Sequence, residues 1–263
     1  MCGRYASFRQ NQDLLDAFKI GRDVPDDPEL AQWQASWNVA PTTPVRMVVE
    51  RVPRREQAAE AAEAADDAAP PVPVRQLRVA RWGLVPSWAK DPGIGSRMIN
   101  ARSETLLEKP AFRTALAKHR CLIPADGYYE WRPPAPGAAR TAKHPQLIHA
   151  PDGGLLAFAG LYEFWRDRTL GEAAPWLVTC TIITTAAEGD MAQIHDRRPA
   201  MLTPEAWDAW LDPTTSAPDA RALLDARPPE LAWHEVSTAV NSVANDGPHL
   251  LDPVAPEEQP TLL

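Results

Sequence analysis

Residues 120–131, RCLIPADGYYEW, hold two β-prone runs, 120–124 and 128–131, divided at Asp126-Gly127 by a turn signal. Runs of the same kind recur on both sides: VRMVVERV (45–52), 76–82 within QLRVARWGLVP, then 145–149, 155–164, 176–185 and a last one near 231–236. Helical patterns are short. They cover 11–18, with Leu14, Leu15 and Phe18 apolar, two pieces of 103–118 interrupted at Pro110, and 187–193, 204–211 and 219–226. Many short strands with helices scattered among them, and no regular strand–helix alternation, predict an α+β fold. The expected core is a mainly antiparallel, barrel-like β-sheet with short peripheral helices.

A chain of 263 residues, 44% of them hydrophobic, can bury one substantial core, and a single domain over 2–250 is expected. Residues 54–74 begin rich in Ala and Glu, end rich in Pro and offer no large apolar face. They read as an insertion that enlarges the turn of a hairpin between 45–52 and 76–82. The Pro- and Ala-rich stretch 133–142 reads as a loop, and 251–263 as a Pro-rich tail. Cys2, Cys121 and Cys180 form an odd set without CxxC spacing, which argues against a disulfide framework or a zinc site and for a reducing compartment. No signal-peptide or membrane-span pattern is visible, so a cytoplasmic protein without membrane contact is expected, and nothing demands more than a monomer.

The formal charge of −8 argues at first against a nucleic-acid partner. Twelve acids, however, sit in three segments free of Lys and Arg (23–29, 56–67 and 252–258), and the remainder carries +4. Between Arg75 and Arg120 ten Lys or Arg residues face three acids. This run is either a basic patch or one stretch of a mixed, solvated surface.

Met1-Cys2-Gly3-Arg4-Tyr5 carries a distinct chemistry. Once Met1 is removed, which the small side chain at position 2 favours, Cys2 presents an α-amine and a thiol as a 1,2-aminothiol. The amine condenses with an aldehyde and the thiol closes a thiazolidine, a reaction closed to internal cysteines. Four further clusters invite roles. Arg81 to Trp88 sets Trp82 and Trp88 beside cations, either as core or as stacking platforms for unpaired bases. Asn100-Ala101-Arg102-Ser103-Glu104 reads as a helix N-terminus, or as an amide and a phosphate-binding guanidinium. Glu130, an acid within an aromatic strand, suits a general acid–base group with a raised pKa. His195, at a helix-to-loop junction beside Asp196 and Arg197, is either structural or a proton carrier.

Taken together, MCGRY, APTT, RWGLVPSWA, INARSET, CLIPADGYYEW, FAGLYE, HDRRPAML and VNSVANDGP stand in the order seen in the SRAP (SOS response-associated peptidase) family, which the chain resembles from Cys2 to about Pro248. The family shields abasic sites in single-stranded DNA. The resemblance implies Cys2 as the crosslinking nucleophile, with Met1 removed by the chain itself or by an aminopeptidase, Asn100 as the amide beside the abasic sugar, Glu130 as the acid–base residue and His195 as the imidazole. It implies DNA contacts at Arg4, Trp82 and Arg102, and Trp88 and Arg113 complete the expected DNA-binding set. No cofactor and no metal are expected. The departures from the family pattern are 54–74, 133–142 and the tail.

Two rival classes stay open on sequence. One is a cysteine hydrolase or peptidase with Cys2 as nucleophile and His195 as base. The other is a noncovalent single-strand-binding module in which Cys2 is incidental. A metal enzyme ranks below both, because the histidines and cysteines show no ligand spacing.

Overall fold

The structure is a computed structural model and describes residues 2–21, 27–52, 73–134, 143–171 and 173–254. Among these, the strands are β1 (Arg4–Ser7), β2 (Ser36–Val39), β3 (Pro44–Arg51), β4 (Val74–Trp82), β5 (Asn100–Arg102), β6 (Arg120–Ala125), β7 (Gly127–Arg132), β8 (His144–His149), β9 (Leu156–Trp165), β10 (Leu177–Ala186), β11 (Arg197–Pro199) and β12 (Ala232–Glu235). The α-helices are α1 (Asn11–Ala17), α2 (Pro110–Lys118), α3 (Met191–Ile194), α4 (Pro204–Leu211) and α5 (Ala217–Leu223).

Strands β4, β3, β6, β9 and β10 pair in that order, and β10 pairs back onto β4, so the sheet closes into a ring. The barrel-like, mainly antiparallel expectation is met, with two parallel pairings added: β10 runs parallel to β4 and to β5. A second, antiparallel sheet has the order β12-β8-β7-β1-β2.

Alternation assigns the two faces of the ring. Val48, Leu77, Val79, Leu122 and Leu161 point to the helical layer, with Phe112, Leu116, Trp207 and Trp210. Their strand neighbours Met47, Val49, Ala80, Trp82, Cys121 and Ile123 face a second core that also holds Cys2, Tyr5 and Tyr128. Covered on both faces, β6 is buried at every residue, which is why it reads as a continuous apolar run. Gly160 is required on the neighbouring β9, because a Cβ would stand 2.9 Å from Cys121 Sγ and 3.0 Å from Thr181 O.

Several boundaries differ from the sequence reading. Strands β3 and β4 pair from Pro44↔Arg81 to Arg51↔Val74, as the enlarged hairpin requires, while 53–72 lie outside the described residues. Residues 135–142 and 255–263 lie outside them too, whereas the start of the expected tail is tied to the body: Val254 N donates to Glu235 O at 2.9 Å. The two helical pieces divided at Pro110 are present, as a 3-10 turn over Ser103–Thr105 and as α2, which Pro110 opens at the position where its missing N–H costs nothing. Asn100–Arg102, expected at a helix N-terminus, form the short strand β5, held beside Ile182–Thr184 of β10. The helical start that the pattern signals comes directly after it, as a 3-10 turn over Ser103–Thr105 with Glu104 in its first turn.

Candidate active site

The register of β1 on β7, Arg4↔Tyr129 and Tyr5↔Tyr128, carries the start of the chain toward the Glu130 end of β7. Cys2 is fully buried there. Across from it, β5 is fixed by β10, with Asn100 opposite Ile182 and Ile182 N donating to Ile99 O at 3.1 Å. That pairing lets Asn100 Nδ2 donate to Cys2 O at 2.8 Å. Asn100 Oδ1 is buried without a hydrogen-bond partner among the described residues.

Glu130 is 3% exposed. Burial pushes its pKa up to about 7, with the positive charge of the chain's N-terminus pulling the other way. The Cys2 thiol is pushed well up, first by burial and then by the Glu130 charge, so it is a neutral thiol at neutral pH.

His195 follows α3, which packs on β7: Tyr128 Oη lies 3.9 Å from Met191 Sδ, and His195 N donates to Met191 O at 3.1 Å. Its Nδ1 accepts from Arg197 N at 3.0 Å and stands 2.8 Å from Asp196 Oδ1. The first contact requires an unprotonated Nδ1 and the second a protonated one. Burial, followed by the N-terminal charge, lowers the His195 pKa despite Asp196, which is mostly in solvent. The ring is therefore held toward its neutral form at neutral pH.

The loop is clamped from outside. Arg197 pairs with Glu104 and not with its neighbour Asp196. Its guanidinium grips Glu104 with both terminal nitrogens, at 2.5 and 2.9 Å, and donates to Thr184 O at 2.6 Å. The hydrogen bond from Arg197 holds the Glu104 carboxyl down at about 2. This pair ties the His195 loop to the strand carrying Asn100.

The expected DNA contacts are dispersed. Trp82 is fully buried: its indole donates to Ile99 O at 2.8 Å and meets Tyr5 edge-on, with ring centroids 5.4 Å apart. It braces the site from beneath and turns no ring face to solvent. Arg4 is engaged with the protein, donating to Asn38 Oδ1 at 2.7 Å, Val240 O at 2.8 Å and Asn241 O at 3.1 Å. Trp88 is 60% exposed, and Arg102 is exposed at the end of β5. Arg113 is exposed on α2, in the helical layer away from the Cys2 core.

Of the ten cations between 75 and 120, three are structural. Arg75 pairs with Glu50 and Asp208, Arg78 with Asp27, and buried Arg120 donates to the carbonyls of Trp210 and Leu116. Arg81, Lys90, Arg97, Arg102, Lys109, Arg113 and Lys118 make no ion pair among the described residues.

Sequence reasoning missed two contributors. Asn38 is buried and donates to Val240, Ser242 and Asn245 carbonyls, locking VNSVANDGP over β1; its place in WNVAPTT gave no hint of this. Lys143, at the edge of the 133–142 loop, lowers the pKa of both Glu130 and His195 as one of the smaller charges acting on them. Among the described residues no group of three His, Cys, Asp or Glu can hold a metal, and no helix is long and apolar enough to cross a membrane.

Comparison with known proteins places this arrangement. The family profile described as "SOS response associated peptidase (SRAP)" matches residues 1–243. The chain is 38% identical over 254 residues to abasic site processing protein YoqW of Bacillus subtilis, covering 96% of this chain and 99% of that one. It is 32% identical to abasic site processing protein YedK of Escherichia coli, over 97% and 100%. A crystal structure of a protein from Bacteroides thetaiotaomicron superposes with a TM-score of 0.74 at 23% identity, over 97% and 100%. The chain belongs to the SOS response associated peptidase (SRAP) family.

Proposed function

We propose that the chain, once Met1 is removed, senses abasic sites in single-stranded DNA and traps them as a covalent thiazolidine at Cys2. The observation that carries this reading is the hydrogen bond from Asn100 to Cys2 O at 2.8 Å, which fixes the N-terminus beside a buried Glu130 with a pKa near 7. The relatives' names, abasic site processing proteins, agree with it.

The chemistry follows from the groups present. An α-amine has a pKa of about 7.7–8.0, so a useful fraction is unprotonated at neutral pH. It attacks C1 of the open-chain sugar aldehyde to give a carbinolamine, which loses water to an imine. Glu130, near half-protonated at pH 7, delivers the proton that water needs to leave and can take one back. His195, held toward its neutral form, assists opening of the sugar ring in this reading. The Cys2 thiol then adds to the imine carbon. The S–C bond closes the five-membered ring, and the thiol's proton passes by way of a base to the imine nitrogen, which ends as a secondary amine. Asn100 Oδ1 offers an acceptor to a sugar hydroxyl. The product lacks the imine that would otherwise promote β-elimination, so the strand stays intact.

Burial keeps the Cys2 thiol neutral, and the proposed route needs no resting thiolate. Imine capture is led by the amine and tolerates a neutral thiol. Incubating Met-processed protein with abasic-site oligonucleotide and running a denaturing gel tests the proposal. A heat-stable adduct is expected, and Cys2→Ala should abolish it. Turnover of peptide substrates without DNA, through an acyl-enzyme at Cys2, would defeat it.

A further inference from the structure

A cavity of about 470 Å³ lies outside the Cys2 core, where the end of β9, the segment leading into β10 and the loop after β4 converge. Its walls combine two chemistries. Phe164 and Trp176 meet edge-on at 6.4 Å, and Trp176 is 53% exposed. The Arg166 guanidinium lies 4.8 Å from the Trp176 ring centroid, and Arg168 adds a second, exposed cation. At the floor, Glu163 is 8% exposed; its Oε1 accepts from Phe164 N at 3.0 Å and stands 3.2 Å from His119 Nδ1. An aromatic ring beside two guanidiniums over a buried acceptor suits a base joined to a phosphate.

The cavity is physically linked to the Cys2 site. Trp82 donates to Ile99 O beside Asn100, Gly83 N to Cys180 O at 2.8 Å, Val85 N to Thr179 Oγ1 at 2.9 Å, and Trp165 Nε1 to Ala89 O at 2.8 Å. The loop after β4 thus follows β10 from the residue opposite Asn100 to the cavity rim at Ser87. The interval on β10 from Ile182, opposite Asn100, to Val178, opposite Phe164, is about 13 Å at strand spacing. Exposed Trp88 sits on that path beside Ser87.

We propose that this cleft holds one unpaired nucleotide of the strand flanking the lesion, its base against Trp176 and its phosphate toward Arg166 and Arg168, with Glu163 accepting from the base. The proposal rests on the single-stranded DNA reading above and adds a second anchor to it. An acceptor at the floor favours bases that carry an exocyclic amino group over thymine.

The test uses the Met-processed full chain and single strands carrying a tetrahydrofuran abasic analogue, which has no aldehyde and cannot crosslink. One oligonucleotide keeps long flanks and another is trimmed to a single nucleotide on each side. By fluorescence anisotropy, Trp176→Ala and Arg168→Gln should each weaken the long-flank complex on the order of tenfold and leave the trimmed one unchanged. Arg168→Gln should also lower the log–log salt slope by about 0.7. Flanks of dA should bind the wild type more tightly than flanks of dT, and Glu163→Gln should remove that preference. Long-flank affinities of the Trp176 and Arg168 variants equal to wild type would overturn the proposal. So would Trp176-dependent binding of free dAMP with no Trp176 dependence in the long-flank strand. Crosslinking of true abasic DNA with long flanks, run in parallel on the wild type, reports the Cys2 reading separately: its absence would sink that reading, whereas flank affinities that ignore Trp176 and Arg168 would sink this one.

Discussion

Replacing Glu130 by Gln should make the protein more stable and much less active, and the pH dependence of the gain identifies the cause. Glu130 is 3% exposed, and burial raises its pKa from 4.5 to about 7. Below pH 4.5 the carboxyl is protonated in folded and unfolded chains alike, and it adds no pH-linked term. Between 4.5 and 7 the unfolded chain releases the proton while the folded one keeps it, so stability falls as pH rises. Above 7 the loss is complete, at roughly 3 kcal/mol. Glutamine keeps the shape and avoids that loss, so Glu130→Gln should melt roughly 6–12 °C above wild type at pH 8, with the advantage vanishing by pH 4. Crosslinking should slow on the order of 10²–10⁴-fold, the usual contribution of a positioned acid–base group. Thermal melts by circular dichroism between pH 4 and 8, with single-turnover adduct formation beside them, measure both quantities. A variant that is less stable at pH 8, or whose advantage does not change with pH, would refute the reasoning.

Other outcomes follow from the same geometry. Arg197→Ala frees the His195 loop from Glu104 and Thr184; crosslinking should fall on the order of tenfold, with below about 1 kcal/mol lost in urea melts because Glu104 is half exposed. Trp82→Ala empties a fully buried indole site and should cost about 3–5 kcal/mol, whereas Trp88→Ala should leave the melting temperature unchanged and weaken single-strand binding. Gly160→Ala forces a Cβ against Cys121 Sγ and Thr181 O and should cost about 1–3 kcal/mol by denaturant titration. Noncovalent DNA binding should weaken as salt rises despite the acidic net charge, measurable by anisotropy across a salt series.

The ring of strands was legible because both β3 and β4 are β-branched and flank an insertion, and because β6 and β7 are parted by Asp126-Gly127. The strand at Asn100–Arg102 was not, since three residues carry no period and the helical turn that begins at Ser103 dominates the local pattern; only the neighbouring β10 decides. Cys2, Glu130 and His195 stood out by chemistry, and Asn100 by position in a motif. What could not be read was the use made of each cation. Arg4 and Arg120 resemble any surface arginine in sequence, yet one crosses to carbonyls 236 residues away and the other is buried under α4. Trp82 and Trp88, six residues apart in one motif, divide into a buried brace and an exposed ring for the same reason: long-range packing assigns their faces.

The most direct test of the central claim is intact mass spectrometry of the purified protein before and after mixing with single-stranded DNA that carries an abasic site. The account predicts a chain lacking Met1, then a species whose mass is protein plus oligonucleotide less one water, absent for Cys2→Ala. An adduct of the same mass and stability in a Met-processed Cys2→Ala protein would contradict it.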